Sequence, residues 1–449
     1  MAVKHGRITF LGNDDCAKLF TGPNTAVFDL EGRMAMPGLV DAHMHMLSGG
    51  AGLLKCSLNY QPLGLSEVLD HIQGCLDAEP DKTDSDWMEV IALDIYHLSD
   101  VTGGVTKKEL DSLKTKRPIV VRSADRHTSW VNTAALDASQ ITASTPNPAG
   151  GIVERLPGSS EPSGILQDNA GGLLTGPAAP TAEDNINAAR SALKLLREQG
   201  VTAFQDAASN AETAEAFEAI QKEGQLSARG FFDYRIDAPN STAEVAALVE
   251  EVLNVTATYD DPAELAAEPA LKWHAVKLYV DGVILYPAST GHLLEPYFSP
   301  LNNDTSGPWE PNPKIDPPAY WSREILVATL ESLFLKKIDA QIHVDGDGAV
   351  RIALDALEDF RTRHPGHDDY KIGLAHNELT DPSDWPRFAE LKADPIMSFQ
   401  WAQSSSVWVP NTLKSLGPTR SQHLEAFGDI AKFGTRIVYG SDWPVSLQR

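Results

Sequence analysis

His43 and His45 stand two residues apart at the end of the apolar run MAMPGLVDAHMHM. On a β-strand this spacing turns both imidazoles to the same face. Neutral imidazoles suit zinc and other borderline divalent ions, although an isolated HxH pair is as readily structural. The pair gains weight from residues placed in the same way elsewhere. His343 in DAQIHVDGDG, His376 in KIGLAHNEL and Asp442 in RIVYGSDW close further apolar runs. Lys277 lies inside another, HAVKLYVDG. A lysine within an apolar strand is costly unless its charge is removed or paired. A buried neutral amine can take up carbon dioxide as a carbamate, an anionic group whose two oxygens can bridge two metal ions. The plainer alternative is a lysine reaching a nearby carboxylate such as Asp281. Four histidines, an aspartate and this lysine at matching strand ends point to a centre for one or two divalent ions, with zinc the best match.

Such side chains need a scaffold that delivers them to one place. After MAMPGLVDAHMHM, apolar runs recur at 201–207, 228–237, 273–282, 339–348, 371–379, 395–400 and 436–443, most of them separated by amphipathic helical patterns. Alternating strand and helix predicts a parallel sheet, and eight such units predict a closed (β/α)8 TIM barrel with functional groups at the C-terminal strand ends. An open doubly wound sheet is the alternative, but no glycine-rich dinucleotide or phosphate loop supports it. The expected division is a partial small β-sandwich over 1–35, with strands in GRITFLG and TAVFDLEGR, and a first barrel strand in 36–46. An inserted α/β subdomain over 47–200 and the rest of the barrel over 201–449 follow. Residues 286–320, rich in Pro, Asn and Gly, read as a long loop on the catalytic face.

The chain carries 62 acidic and 37 basic residues, a formal charge of −25. That balance disfavours nucleic acid and anionic membranes, which require clustered Lys and Arg, and leaves a small-molecule substrate as the expected partner. Homo-oligomerisation is compatible with the sequence but not specified by it. The three cysteines, Cys16, Cys56 and Cys75, are an odd set without CxxC spacing. They support neither a disulfide framework nor a cysteine zinc site, and a reducing, cytoplasmic setting is expected.

PGLVDAHMHM, VKLYVDG, IHVDGDGAV, AHNEL and GSDWPV, in this order, resemble the amidohydrolase superfamily. The best match is to amidohydrolase family 3, which holds N-substituted formamide deformylases and exoenzyme-regulator-like proteins. RHTSWVNTAAL, GGIVERLPGSSEPSGILQDNA and LEPY match the same branch. The resemblance implies a metal-dependent hydrolase of non-peptide C–N bonds, amide or formamide-like. It implies that His43, His45 and Asp442 hold the more buried ion. A carboxylated Lys277 would bridge to a second ion on His343 and His376, and Asp442 would move the proton from the attacking water to the leaving amine. It also implies that His127 and Trp130 face the substrate. His292, beyond the fourth barrel strand, is a further substrate candidate. His274 is expected to be structural, and Asp345 and Asp347 to form the turn and cap of the next helix.

The resemblance also implies a chain continuing well past the GSD motif, so the barrel is expected to be truncated at its C-terminal side. YPAST at 286–290 departs from the segment expected after the fourth strand. Alternatives are a decarboxylase, hydratase or isomerase on the same metal scaffold, and a catalytically silent homologue that acts by binding.

Overall fold

The structure is a computed structural model describing residues 1–449 except 99–103, 124–127, 149–150, 261–268, 287, 302–304, 368–369, 404–408 and 446–449. A small antiparallel hairpin, β1 (Ala2–Lys4) and β2 (Arg7–Phe10), opens the chain. TAVFDLEGR does not form the expected second strand. Val27 and Phe28 are exposed, and no neighbouring backbone takes up their hydrogen-bonding groups as a ladder would.

β3 (Leu39–Met44) begins the barrel. The chain then leaves for a separate six-stranded sheet made of β4 (Cys56–Ser57), β5 (Met88–Leu93), β6 (Ile119–Ser123), β7 (Thr128–Val131), β8 (Gly151–Arg155) and β9 (Pro162–Asp168). This unit has a core of its own around Val68, Ile72, Val90, Ile119, Val121 and Trp130. The helix Ala182–Gln199 already belongs to the barrel's outer layer, since its Ala189, Ala192 and Leu196 pack with Met44, Met46 and Phe204. Its limits follow from local chemistry. Thr181 and Asp184 form a reciprocal capping box, and Gly200, at φ 77°, ends the helix in the left-handed region where a glycine carries no Cβ penalty.

The barrel continues through β10 (Val201–Ser209), β11 (Arg229–Arg235) and β12 (Leu271–Tyr279). A short hairpin, β13 (Phe298–Pro300) and β14 (Trp309–Pro311), lies within the long loop expected at 286–320. β15 (Asp339–Val344), β16 (Ile372–His376), β17 (Asp394–Met397) and β18 (Val438–Tyr439) complete the eight parallel strands. These strands read as nearly continuous apolar runs because both faces of a parallel sheet are covered.

Closure between the last strand and the first is made by single contacts. Met44 and Trp443 form a parallel bridge, Trp443 O accepts from His45 N at 2.7 Å, and His43 O accepts from Asp442 N at 2.7 Å. Gly440 permits this approach, since a Cβ there would stand 2.5 Å from the His43 Cβ.

The cysteine expectation is corrected. Cys56 and Cys75 form a disulfide with Cα atoms 5.9 Å apart, leaving Cys16 as the free, exposed thiol. The pairing arises because the helix Leu65–Asp77 lies against β4, a tertiary contact that residue spacing does not announce. Among the described residues no helix is long and apolar enough to cross a membrane.

Candidate metal centre

Six side chains, from or directly after four barrel strands and from the segment after β18, meet at the C-terminal mouth. His43 points inward from β3, and His45 follows one residue after the strand ends. Asp442 comes back to meet them, with Oδ1 3.3 Å from His43 Nε2 and 3.1 Å from His45 Nε2. Neither contact has hydrogen-bond direction, so Asp442 Oδ1 is a buried acceptor without a donor. Donor atoms of these three residues lie within 4.8 Å of one another. Two imidazole nitrogens crowding a buried carboxylate oxygen that lacks a well-directed donor are costly and fit a cation between them.

The remaining residues extend the group. Lys277 Nζ, on β12, is 3.5 Å from His43 Nε2 and sits over the Tyr279 ring. The expected alternative of a lysine reaching Asp281 is not what the structure shows. Asp281 instead accepts the backbone N–H groups of His292, Asp345 and Gly346. The His376 ring centroid is 4.7 Å from that of His43 and 4.4 Å from that of His343. His343 Nε2 lies 2.8 Å from the Gly282 carbonyl, which assigns the proton to Nε2 and leaves buried Nδ1 as an unpartnered lone pair. This outer contact is the arrangement that orients a metal-binding imidazole.

Electrostatics keep the donors in the forms a cation needs. Burial, helped by Lys277, lowers His43 to about 4 and His343 to about 3, so both are neutral near pH 7. Burial and the neighbouring imidazoles hold His376 well below the usual range. Burial likewise lowers Lys277 to about 7, against the pull of Asp442 and Asp233. At Asp442 burial opposes the charge, but the adjacent His43 and His45 outweigh it and keep the carboxyl ionised. The residues present therefore fit a divalent ion. His376 and Asp442 also have positive φ, 78° and 53°. Such strain in non-glycine residues costs on the order of 1–3 kcal/mol each and persists where the surroundings enforce it.

Two carboxylates that sequence reasoning passed over hold the backbone of these candidate ligands. Asp41 Oδ1 accepts from His43 N at 3.1 Å and from Ser441 N at 3.0 Å. Asp206 Oδ2 accepts from Met46 N at 2.8 Å, directly after His45. Both are buried acids next to ligand candidates, a signal present in VDAHMHM and FQDA but not separable there from ordinary strand ends. Trp401, stacked 5.3 Å from His376 with planes 4° apart, was also missed.

The substrate candidates fare differently. His127 lies outside the described residues. Trp130 is corrected: it is fully buried in the inserted unit, with its indole N–H donating to Thr106 O at 2.7 Å. His292 is not brought to the ligand group. Its Nδ1 lies 2.9 Å from the Pro317 carbonyl, and its own carbonyl accepts from Gly348 and Ala349. His274 sits towards the other end of β12, 3.9 Å from Asp339. Asp345 and Asp347 are corrected too. Gly346 occupies the helix N-cap, while Asp345 and Asp347 accept from Ile284 N and Leu294 N and so pin the crossing loop.

This barrel, with its ligand-type residues at the strand ends, matches known proteins along its length. The model of the amidohydrolase family matches residues 26–447, and the chain belongs to that family and is a hydrolase. It is 26% identical to the N-substituted formamide deformylase of Arthrobacter pascens, over 98% of this chain and 76% of that protein. It is 24% identical to the exoenzymes regulatory protein AepA of Pectobacterium carotovorum subsp. carotovorum, over 97% of this chain and 88% of that one. A metal-dependent hydrolase from Pyrococcus horikoshii OT3 has the same fold, with a TM-score of 0.68 at 19% identity, over 99% of this chain and 79% of that chain.

Proposed function

We propose that the protein is a zinc-dependent hydrolase of a non-peptide C–N bond, amide or formamide-like, in a small molecule. The observation carrying this reading is the convergence of His43, His45 and Asp442 on one point, with Lys277, His343 and His376 against it. His43, His45 and Asp442 would hold one ion. His343 through Nδ1, His376 and the carbamate of Lys277 would hold a second. A divalent ion there lowers the pKa of a coordinated water from its bulk value towards ~7 and polarises the scissile carbonyl.

The chain's own groups supply the rest. Asp442, ionised and fixed by Asp41 through Ser441, accepts the proton of the attacking water at a carboxylate oxygen. It then gives that proton to the departing amine nitrogen, so the carboxylate ends as it began. Asp206 and Asp41 hold the backbone that aims His45 and His43. The activity named for the Arthrobacter relative favours a formyl group on nitrogen as the first substrate to try.

The test is metal analysis of the purified protein together with turnover of N-alkyl formamides and simple N-alkyl amides. Expected are about one to two equivalents of zinc, formate or carboxylate release, and loss of activity on chelation with recovery on adding zinc. A metal-poor protein after growth with added zinc would overturn the metal reading. A metal-loaded protein that cleaves neither class would overturn the substrate reading alone.

A further inference from the structure

Outside the barrel, a second group of soft donors gathers on the inserted unit. Cys56 lies on the two-residue strand β4, and His71 and Cys75 lie on the helix Leu65–Asp77. The last two are four residues apart, so their side chains share one helical face. The two sulfurs and an imidazole nitrogen all lie within 4.8 Å of one another. His71 is exposed and the cysteines are half-buried, so an ion can reach them from solvent. In the structure the sulfurs are joined to each other.

We propose that Cys56, His71 and Cys75 form a second, thiolate-based metal site, available to a zinc-like divalent ion only when the disulfide is reduced. Two thiolates and an imidazole are three of the four ligands of a common tetrahedral zinc site, leaving water for the fourth. Zn–S bonds of ~2.3 Å place two tetrahedral sulfurs about 3.8 Å apart. Side-chain rotation can supply that separation, because the Cα atoms already stand 5.9 Å apart. The chemistry balances as follows. A dithiol reductant gives two electrons and two protons to the S–S bond and becomes a cyclic disulfide, and binding of the ion then releases both protons. A small disulfide such as oxidised glutathione reverses this. It takes two electrons from the thiolates and, with two protons, leaves as two thiols, while the protein S–S bond re-forms and the ion departs.

This site is separable from the barrel because the barrel donors are nitrogen and oxygen only. The experiment uses the full chain in a Cys16→Ser background, reduced with dithiothreitol, desalted anaerobically and titrated with cobalt(II). Expected is a thiolate-to-cobalt charge-transfer band in the near ultraviolet, rising to one equivalent, absent from the oxidised protein and discharged by oxidised glutathione. Cys75→Ser abolishes the band. His71→Ala, at an exposed position, weakens cobalt binding by more than the ~10–100-fold typical of losing an outer partner of a metal site. Far-ultraviolet circular dichroism checks that each variant is folded. The proposal is overturned if the disulfide resists the dithiol in the folded protein, or if the reduced protein shows no such band. It is equally overturned if the band survives Cys75→Ser, or if His71→Ala binds cobalt as tightly as its parent.

Discussion

The Asp41 carboxylate accepts the backbone N–H of Ser441 at 3.0 Å, so a residue of the first barrel strand fixes the backbone beside Asp442. The same oxygen receives His43 N at 3.1 Å. One buried carboxylate therefore sets the spacing between two of the proposed ligands.

Asp41→Ala is expected to strand both N–H groups, at a cost of roughly 1–3 kcal/mol per unsatisfied donor. Loss of ligand alignment should weaken zinc binding by about 10–100-fold. Competition against a chromophoric chelator measures the second effect and urea unfolding the first. Unchanged zinc affinity would remove Asp41 from the positioning role.

Asp442→Asn keeps the shape of the side chain but removes its capacity to take a proton. Turnover is expected to fall by at least about 100-fold, the contribution typical of a positioned acid–base group. Much of the metal should remain on His43 and His45. Steady-state kinetics alongside metal analysis separates the two, and near-normal kcat would exclude Asp442 as the proton carrier.

Lys277 gives the metal-free protein a defined pH dependence. Its folded value of about 7 lies below the usual lysine value. Between the two, the unfolded chain holds a proton that the folded chain does not. Stability from this group is therefore fully present above the usual lysine value and is lost as pH falls towards about 7. Lys277→Met removes that dependence. The metal-free variant should be more stable than the parent near about pH 7, with the gap closing towards about pH 10. Thermal unfolding across that range is the measurement, and a gap independent of pH would contradict it.

Gly440→Ala introduces a methyl 2.5 Å from the His43 Cβ and 3.0 Å from the His43 N. Both neighbours are held in the barrel wall, so β18 must retreat. The expected cost is about 1–3 kcal/mol, with weakened metal binding because Asp442 moves with the strand. A variant of parental stability that binds zinc normally would show that the closure tolerates the added volume.

Much of the barrel, and the gathering of the candidate side chains at its mouth, was legible because both depend on the same repeating pattern. Apolar runs ending in His43, His376 or Asp442 state burial and a polar terminus together. What stayed hidden depends on which distant segments touch. Asp41 and Asp206 act on backbone N–H groups across strands, and nothing local separates them from other strand carboxylates. Trp130 matched a motif, yet its indole is consumed by the core of the inserted unit. Cys56 and Cys75 pair through a strand-on-helix contact rather than a short motif. TAVFDLEGR has the composition of a strand, but composition cannot supply the neighbour a ladder needs.

The closure of the barrel by Asp442, Trp443 and the end of β3 has a consequence for biosynthesis. His43 and Asp442 are separated by most of the chain, so during translation the early histidines leave the ribosome long before their carboxylate partner exists. Metal loading of the proposed three-donor point would therefore be a late event, after the intervening strands have been made. A nascent chain stalled before Asp442 would expose a histidine pair with incomplete ligation, open to capture of the wrong ion.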